Sequence, residues 1–147
     1  MTVRKGEKSD LPAVFALMLE LAEYENGLDQ VSNTVDQMLI DGFGPDPVFG
    51  LLVAEQEGEV IGSSIYYYRY STWKGKQLYL EDLVVTEQKR RTGAGKLLFE
   101  KTIEIAREEK CTGMVWQVLN WNEPAIQFYK HYQSNFDKGW TNCSIIF

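Results

Sequence analysis

One junction in the sequence most constrains the fold, because it joins a strand to a helix through a basic loop that contains two glycines. Residues 81–85 (Glu-Asp-Leu-Val-Val) have strand character, and residues 89–96 follow as Lys-Arg-Arg-Thr-Gly-Ala-Gly-Lys. At a helix N-terminus, unpaired backbone N–H groups and the helix dipole favour an anion. Gly93 and Gly95 allow the backbone to approach a ligand closely. The junction therefore predicts a phosphate-binding loop.

The rest of the chain alternates between helical and strand patterns, which predict one mixed α/β (α+β) domain spanning residues 1–147. Asn33 or Thr34 is suited to cap the second helix, and Asn122 the fourth. The order of elements indicates a largely antiparallel front half followed by a parallel β-α-β crossover. We predict helices at about residues 11–25, 35–40, 95–109 and 123–131, and strands at about residues 3–4, 48–54, 60–70, 77–85, 113–118 and 140–146.

Composition limits the class of protein. A net charge of −6 argues against a general nucleic-acid-binding face. No apolar run is long enough for a membrane helix, and the first residues lack the apolar segment of a signal peptide. Cys111 and Cys143 are too few for a disulfide framework or a zinc site. We therefore expect a cytoplasmic protein without a metal, a membrane partner or a nucleic-acid partner.

Three kinds of phosphate loop compete for the junction. A Walker A loop requires Ser or Thr after Gly-Lys, but Leu97 follows Lys96, and Arg90 occupies the place of the first glycine. A dinucleotide-binding loop requires a third glycine, but Leu98 occupies that place. The third pattern, R-x-x-G-x-G, is met in full by residues 90–95.

A second motif supports the third pattern. Residues 122–129 match N-x-x-A-x-x-x-Y and follow the next predicted strand. In this order the two motifs resemble the acetyl-CoA site of the GCN5-related N-acetyltransferases. Further segments resemble the spermidine/spermine (diamine) N-acetyltransferase branch, which also contains enzymes acting on thialysine. The resemblance covers nearly the whole chain, and the segments that carry it are 21–25, 41–44, 52–55, 79–82 and 121–124, of which the last two are fairly specific.

The resemblance implies an acyl-CoA N-acyltransferase fold, in which the strand before the loop carries a bulge and splays from its parallel neighbour. It implies acetyl-CoA as co-substrate, with its pyrophosphate on the loop and its pantetheine arm along the main chain of the preceding strand. It also implies a homodimer. The implied cofactor-binding residues are Leu83, Val84, Val85, Arg90, Arg91, Thr92, Gly93, Ala94, Gly95, Lys96 and Asn122.

The same resemblance implies the catalytic groups. Tyr129, with an ordinary pKa of ~10 against ~8.5 for a thiol, would protonate the departing thiolate. Glu81 would take the proton of the amine, directly or through water. Tyr24, Glu25, Glu81 and Asp82 would bind the amine. In a regular strand Asp82 would point to the face opposite Glu81.

Structural roles compete with several of these assignments. Tyr129 could be a core residue of its helix, Glu81 a member of an ion pair, Asn122 only an N-cap, and Glu25 a solvated helix end. The leading function is acetyl transfer to a diamine or polyamine. The alternatives are a lysine analogue such as thialysine, another free amine, or a CoA-binding module without turnover, against which Glu81 and Tyr129 count.

Overall fold

The computed structural model describes all 147 residues and contains five strands and four helices. Most of them lie where the sequence patterns predict them. The strands are β1 (Thr2–Lys5), β2 (Gly50–Gln56), β3 (Glu59–Ser71), β4 (Gly75–Val85) and β5 (Met114–Trp116). The helices are α1 (Leu11–Tyr24), α2 (Val35–Phe43), α3 (Ala94–Glu108) and α4 (Glu123–Lys130). None of these helices is long and apolar enough to span a bilayer.

Local sequence signals set the ends of these elements. Between β2 and β3, Glu57 (φ +52°) and Gly58 (φ +78°) both take positive φ, as a tight two-residue hairpin requires. The Thr34 hydroxyl accepts a hydrogen bond from the Gln37 N–H and so caps α2. The helix α3 begins directly after Gly93 (φ +91°). These turns and caps involve only residues close in sequence, so they set the ends of the elements locally.

The chain divides into two compact units, Met1–Gln117 and Val118–Phe147. In the first unit the strands form one sheet in the order β1-β2-β3-β4-β5. All neighbours are antiparallel except β4 and β5, which are parallel and joined through α3. The predicted antiparallel front half and β-α-β crossover are therefore confirmed. A single domain over residues 1–147 stays a prediction.

Helices cover both faces of the sheet. On one face, side chains of α1, α2, β2 and β3 form an apolar core: Leu11, Val14, Met38, Leu51, Val53 and Ile65. On the other face, α3 packs through buried Leu98 and Phe99, and its Thr102 hydroxyl lies 2.8 Å from the hydroxyl of Ser64 on β3. Because Ser64 and Ile65 are consecutive in a strand, they point to opposite faces.

The predicted strand over residues 140–146 is wrong, since no residue after Lys130 lies in a helix or strand. The Asp137 carboxylate accepts hydrogen bonds from Gly139 N (2.9 Å) and Trp140 Nε1 (2.8 Å), which closes a local turn where the strand was expected to begin. The alternation of the segment also fails at Ile145 and Ile146, which are two consecutive apolar residues. Both are exposed.

Candidate functional site

The loop between β4 and α3 presents a run of backbone N–H groups that no group of the protein accepts. Arg91 (φ +64°) and Gly93 (φ +91°) are both left-handed, so the chain turns sharply into the helix. The backbone N–H groups of residues 91–96, called the loop amides below, donate to no acceptor in the chain. Such a run at a helix N-terminus binds oxyanions.

Side chains outside the loop hold its start in place. The Glu20 carboxylate of α1 accepts hydrogen bonds from Glu87 N (2.7 Å) and the Thr86 hydroxyl (3.0 Å). Within the loop, the Thr92 hydroxyl donates to the Lys89 carbonyl at 2.7 Å. Sequence analysis missed Glu20, because its partners lie 66 and 67 residues further along the chain and no local pattern reveals them.

Arg90 connects the loop to two predicted site residues. Its Nε donates to the Val85 carbonyl at 3.2 Å, and its guanidinium carbon lies 5.6 Å from the centre of the Tyr24 ring. Tyr24 thus contacts the basic loop, and its predicted contact with the amine stays a prediction. A guanidinium over an aromatic face is held by cation–π attraction, so Tyr24 helps to orient Arg90.

Strand β4 contains a β-bulge at Glu81. In the ladder with β3, Leu80 pairs with Tyr66 and Asp82 pairs with Ile65. The two β4 residues are two positions apart, whereas their β3 partners are adjacent. Glu81 is the extra residue, and its side chain is exposed. A bulge of this kind changes where the following side chains point.

The bulge places Glu81 and Asp82 on the same face of the sheet. Tyr67 and Ile65 are two residues apart on β3 and share a face, so their partners Tyr79 and Asp82 share it too. Glu81 follows Tyr79 by two residues, so its side chain lies on the same face. The bulge that the resemblance implies is therefore present, and the condition under which Asp82 would lie opposite Glu81, a regular strand, is not met.

The carboxylate of Asp82 feels the charges of two other carboxylates, those of Glu81 and Glu25. Burial, and after it the negative charges of Glu81 and Glu25, raise the pKa of Asp82 to about 6. Burial likewise raises the pKa of Glu25 at the end of α1. We refer to Glu25, Glu81 and Asp82 as the carboxylate cluster. A bound cation would relieve the repulsion within it.

The edge of β4 changes character at the bulge. Pairing with β5 ends at Leu80, opposite Trp116. Beyond it, the Thr86 N–H donates to Ile61 of β3, and peptide groups alternate sides along a strand. Leu83 and Val85 therefore present their peptide groups to the edge that β5 leaves unpaired, whereas the side chain of Val84 is buried. An extended ligand with amide groups could pair along this edge.

The second unit carries the remaining two predicted residues. The Asn122 side chain accepts a hydrogen bond from Ala125 N at 3.4 Å and caps α4, so its predicted capping role is confirmed. Tyr129 is buried, and its ring meets that of Phe128 edge to face at 5.5 Å. The Ser134 hydroxyl donates to the Tyr129 carbonyl at 2.8 Å. Across the chain, no group of three or more His, Cys, Asp or Glu side chains is arranged to hold a metal ion.

A break in alternation places the implied bulge within the sequence of β4. Leu78 and Leu80 keep the spacing of two, but the next apolar pair is Leu83 and Val85, one position late. Leu80 and Leu83 pair with Tyr66 and Ser64, which share a face, so the apolar stripe continues across the break. The sequence pattern therefore indicates one extra residue between Leu80 and Leu83.

Comparisons with known proteins find acetyltransferases. A model of the acetyltransferase (GNAT) family matches residues 16–133. Thialysine N-epsilon-acetyltransferase from Bos taurus is 38% identical over 136 residues, which cover 87% of this chain and 80% of that protein. Spermidine/spermine N(1)-acetyltransferase-like protein 1 from Homo sapiens is 36% identical over 134 residues, covering 86% of this chain and 19% of that protein.

A solved structure shows the same fold. The crystal structure of a mutant of the BH1408 protein from Bacillus halodurans has a TM-score of 0.83 and 20% sequence identity. The alignment covers 99% of this chain and 100% of that one. At this identity the likeness speaks for the fold alone.

Proposed function

This chain belongs to the acetyltransferase (GNAT) family, and we propose that it transfers the acetyl group of acetyl-CoA to a primary amine of a small molecule. The observation that carries this proposal is the bulge in β4. It places the carboxylates of Glu81 and Asp82 on one face of the same strand that leads into the loop amides. An anion-binding loop and a cation-binding cluster thus lie at the two ends of one short segment.

We propose that the loop holds the pyrophosphate of CoA. The amides of residues 91–96 would donate to its oxygens, and the exposed side chains of Arg90, Arg91 and Lys96 add positive charge. The peptide groups of Leu83 and Val85 would pair with the amides of the pantetheine arm. The full proposed set of cofactor-binding residues is Leu83, Val84, Val85, Arg90, Arg91, Thr92, Gly93, Ala94, Gly95, Lys96 and Asn122.

The carboxylate cluster is proposed to bind and deprotonate the amine. A lysine-like amine has a pKa of ~10.4, so reaching its neutral form at pH 7 costs ~4–5 kcal/mol. Glu81 or Asp82 would take the ammonium proton, directly or through water. The neutral nitrogen then attacks the thioester carbonyl carbon, so that the N–C bond forms and the C–S bond breaks. The products are the N-acetylated amine and CoA.

Tyr129 is proposed to donate the proton that converts the departing thiolate into the thiol. This role rests on the N-x-x-A-x-x-x-Y motif at residues 122–129. A tyrosine is suited to the task, because its pKa lies above that of a thiol and it remains protonated at neutral pH. An ammonium substrate loses two protons, one before the attack and one from the nitrogen once the N–C bond has formed, and the thiolate gains one, so one net proton is released to solution.

Two substrate classes fall within this proposal. The names of the similar proteins point to polyamines and to thialysine, an amino acid with a terminal amine. Both present an ammonium group on an aliphatic stem, which the carboxylate cluster could bind. We further propose that the enzyme is a cytoplasmic homodimer.

The experiment that tests the proposed function measures thiol release from acetyl-CoA with a panel of amines. Putrescine, spermidine, spermine, L-lysine and thialysine cover both substrate classes. We expect saturable, amine-dependent thiol release with at least one of them. Tight CoA binding without thiol release for any amine would instead indicate a CoA-binding module and contradict the proposal.

Gly95→Ala is expected to separate cofactor binding from fold stability. A Cβ at Gly95 would meet only the Val85 side chain, at an ordinary 3.8 Å. Alanine is the better helix former, so the free energy of unfolding should stay level or rise by up to about 1 kcal/mol. The added methyl group would crowd a pyrophosphate on the loop amides, so we expect the Kd for CoA to rise at least about tenfold, or ~1.4 kcal/mol. Calorimetric titration and thermal melts measure the two effects.

Gly93→Ala provides the contrast. Gly93 has φ +91°, which an L side chain adopts only with strain, although a Cβ there would meet no atom within 4 Å. This variant should therefore lose about 1 kcal/mol of stability. If Gly95→Ala bound CoA as tightly as the wild type, the loop would not approach the ligand as proposed.

A further inference from the structure

Arg69 lies on the same face of the sheet as the carboxylate cluster. It pairs with Gln77 in the ladder, two residues beyond the Tyr67–Tyr79 pair, and thus shares the face of those two rings. Although Gln77 is its direct partner, its guanidinium carbon lies 5.7 Å from the centre of the Tyr79 ring. The side chain of Arg69 therefore leans along the strand toward the bulge that carries Glu81.

Two tyrosine rings separate the cation from the carboxylates. The rings of Tyr67 and Tyr79 lie 5.1 Å apart at an angle of 30°, and both are half-buried. Burial raises the pKa of each phenol, the charge of Glu81 raises it further, and the charge of Arg69 opposes this. Arg69 and Glu81 thus act on the same pair of rings from opposite ends.

Arg69 has no acidic partner in the protein. It is exposed, and no carboxylate lies within ion-pairing distance, whereas Arg4 is paired with both Asp10 and Glu55. Its fixed positive charge, on the same face as the cation-binding cluster, is unfavourable for a substrate that carries a second ammonium group. The same charge favours a carboxylate, which a guanidinium can bind with two parallel hydrogen bonds.

We propose that Arg69 is a specificity-determining residue that binds the carboxylate of an amino acid whose terminal amine is acetylated. The face then presents carboxylates for the amine, aromatic rings for the aliphatic stem, and a guanidinium for the distant carboxylate. This inference rests on the proposed function and narrows it to zwitterionic amines.

The spacing along the sheet suits a substrate of lysine size. Glu81 lies four positions after Gln77, the residue opposite Arg69, or roughly 13 Å between the Cα atoms at ~3.3 Å per residue. The lean of Arg69 toward Tyr79 shortens the gap between the charged groups. A diamine of the same length would place its second ammonium beside the guanidinium, where like charges repel.

The test uses substrate pairs that differ only by a carboxylate: L-lysine against cadaverine, and L-ornithine against putrescine. For the wild type we expect kcat/KM to be at least about tenfold higher for each amino acid than for its diamine. Arg69→Gln should raise KM for the amino acids by about 10- to 100-fold and leave kcat/KM for the diamines unchanged or higher. Fragmentation of the products by mass spectrometry should place the acetyl group on the terminal nitrogen.

Lys76→Gln serves as the matched control. It removes one positive charge from the same hairpin, but Lys76 lies on the opposite face, where it contacts Glu109 and the Tyr68 ring. This variant should keep the wild-type preference. A wild-type preference for diamines, or an equal effect of Arg69→Gln on both members of a pair, would overturn the inference and leave the proposed acetyl transfer standing. Failure to acetylate any amine would overturn both.

Discussion

Replacing Tyr129 by phenylalanine is expected to lower kcat for amine acetylation by about 10²- to 10⁴-fold, while the Kd for acetyl-CoA stays nearly unchanged. The substitution removes only the hydroxyl group. Without it, the thiolate must leave unprotonated or take its proton from water. Because the loop amides and the edge of β4 do not involve Tyr129, cofactor binding should survive. Steady-state kinetics and calorimetric titration with CoA measure the two quantities.

Fold stability must be separated from chemistry in this variant. Tyr129 is buried, and its ring contacts Phe128, a contact that phenylalanine preserves. Tyr132→Phe is a matched control, since Tyr132 also contacts Phe128 at 5.5 Å and loses the same atom. We expect similar melting temperatures for both variants and a loss of kcat only in Tyr129→Phe. An unchanged kcat would exclude Tyr129 as the general acid.

Local chemistry made most of the fold predictable. Turn residues such as Glu57-Gly58, the cap Thr34, and the glycine before α3 act within a few residues of themselves, so the sequence pattern alone indicates them. The prediction of a strand at residues 140–146 was wrong because strands depend on more than local sequence. A strand forms only by pairing with another strand, and the local sequence does not indicate whether a partner strand is available.

The amine end of the site depended on long-range register and could be predicted only in part. Glu81 and Asp82 stand out in the sequence, but their shared face follows from pairing with β3, about 15 residues earlier. Arg69 lies near Tyr79 for the same reason. The contact of Glu20 with the loop likewise joins α1 to a distant turn. The residue types at the amine end of the site were thus predictable, whereas the distances between these residues depend on the pairing of β3 with β4.

Asp82→Asn is expected to make the protein more stable and less active at neutral pH. The pKa of Asp82 is raised from 3.8 to about 6, mainly by burial and then by Glu81 and Glu25. A raised pKa in the folded state means that ionisation opposes folding, so the stability present below about pH 4 is lost as pH rises through 6. Removing the charge should restore up to about 3 kcal/mol at pH 7.5. This figure is an upper bound, because water still reaches the carboxylate.

Urea unfolding at two pH values checks the sign of this effect. Above pH 7 the free energy of unfolding of Asp82→Asn should exceed that of the wild type by about 1–3 kcal/mol, and at pH 4 the two should nearly coincide. An excess at pH 4 as large as at pH 7.5 would mean that packing of the amide, rather than loss of a charge, stabilises the variant.

The same substitution should lower kcat/KM for the amine by about 10- to 100-fold, since a hydrogen bond to a charged group is lost from the bound ammonium. The wild-type kcat/KM should rise with pH through about 6 as Asp82 ionises, and this rise should be absent in Asp82→Asn. In Glu81→Gln the rise should instead move to lower pH, because the charge of Glu81 no longer raises the pKa of Asp82. If the rise vanished in Glu81→Gln and persisted in Asp82→Asn, Glu81 alone would be the proton acceptor. In that case Asp82 would destabilise the fold without accepting the proton of the amine.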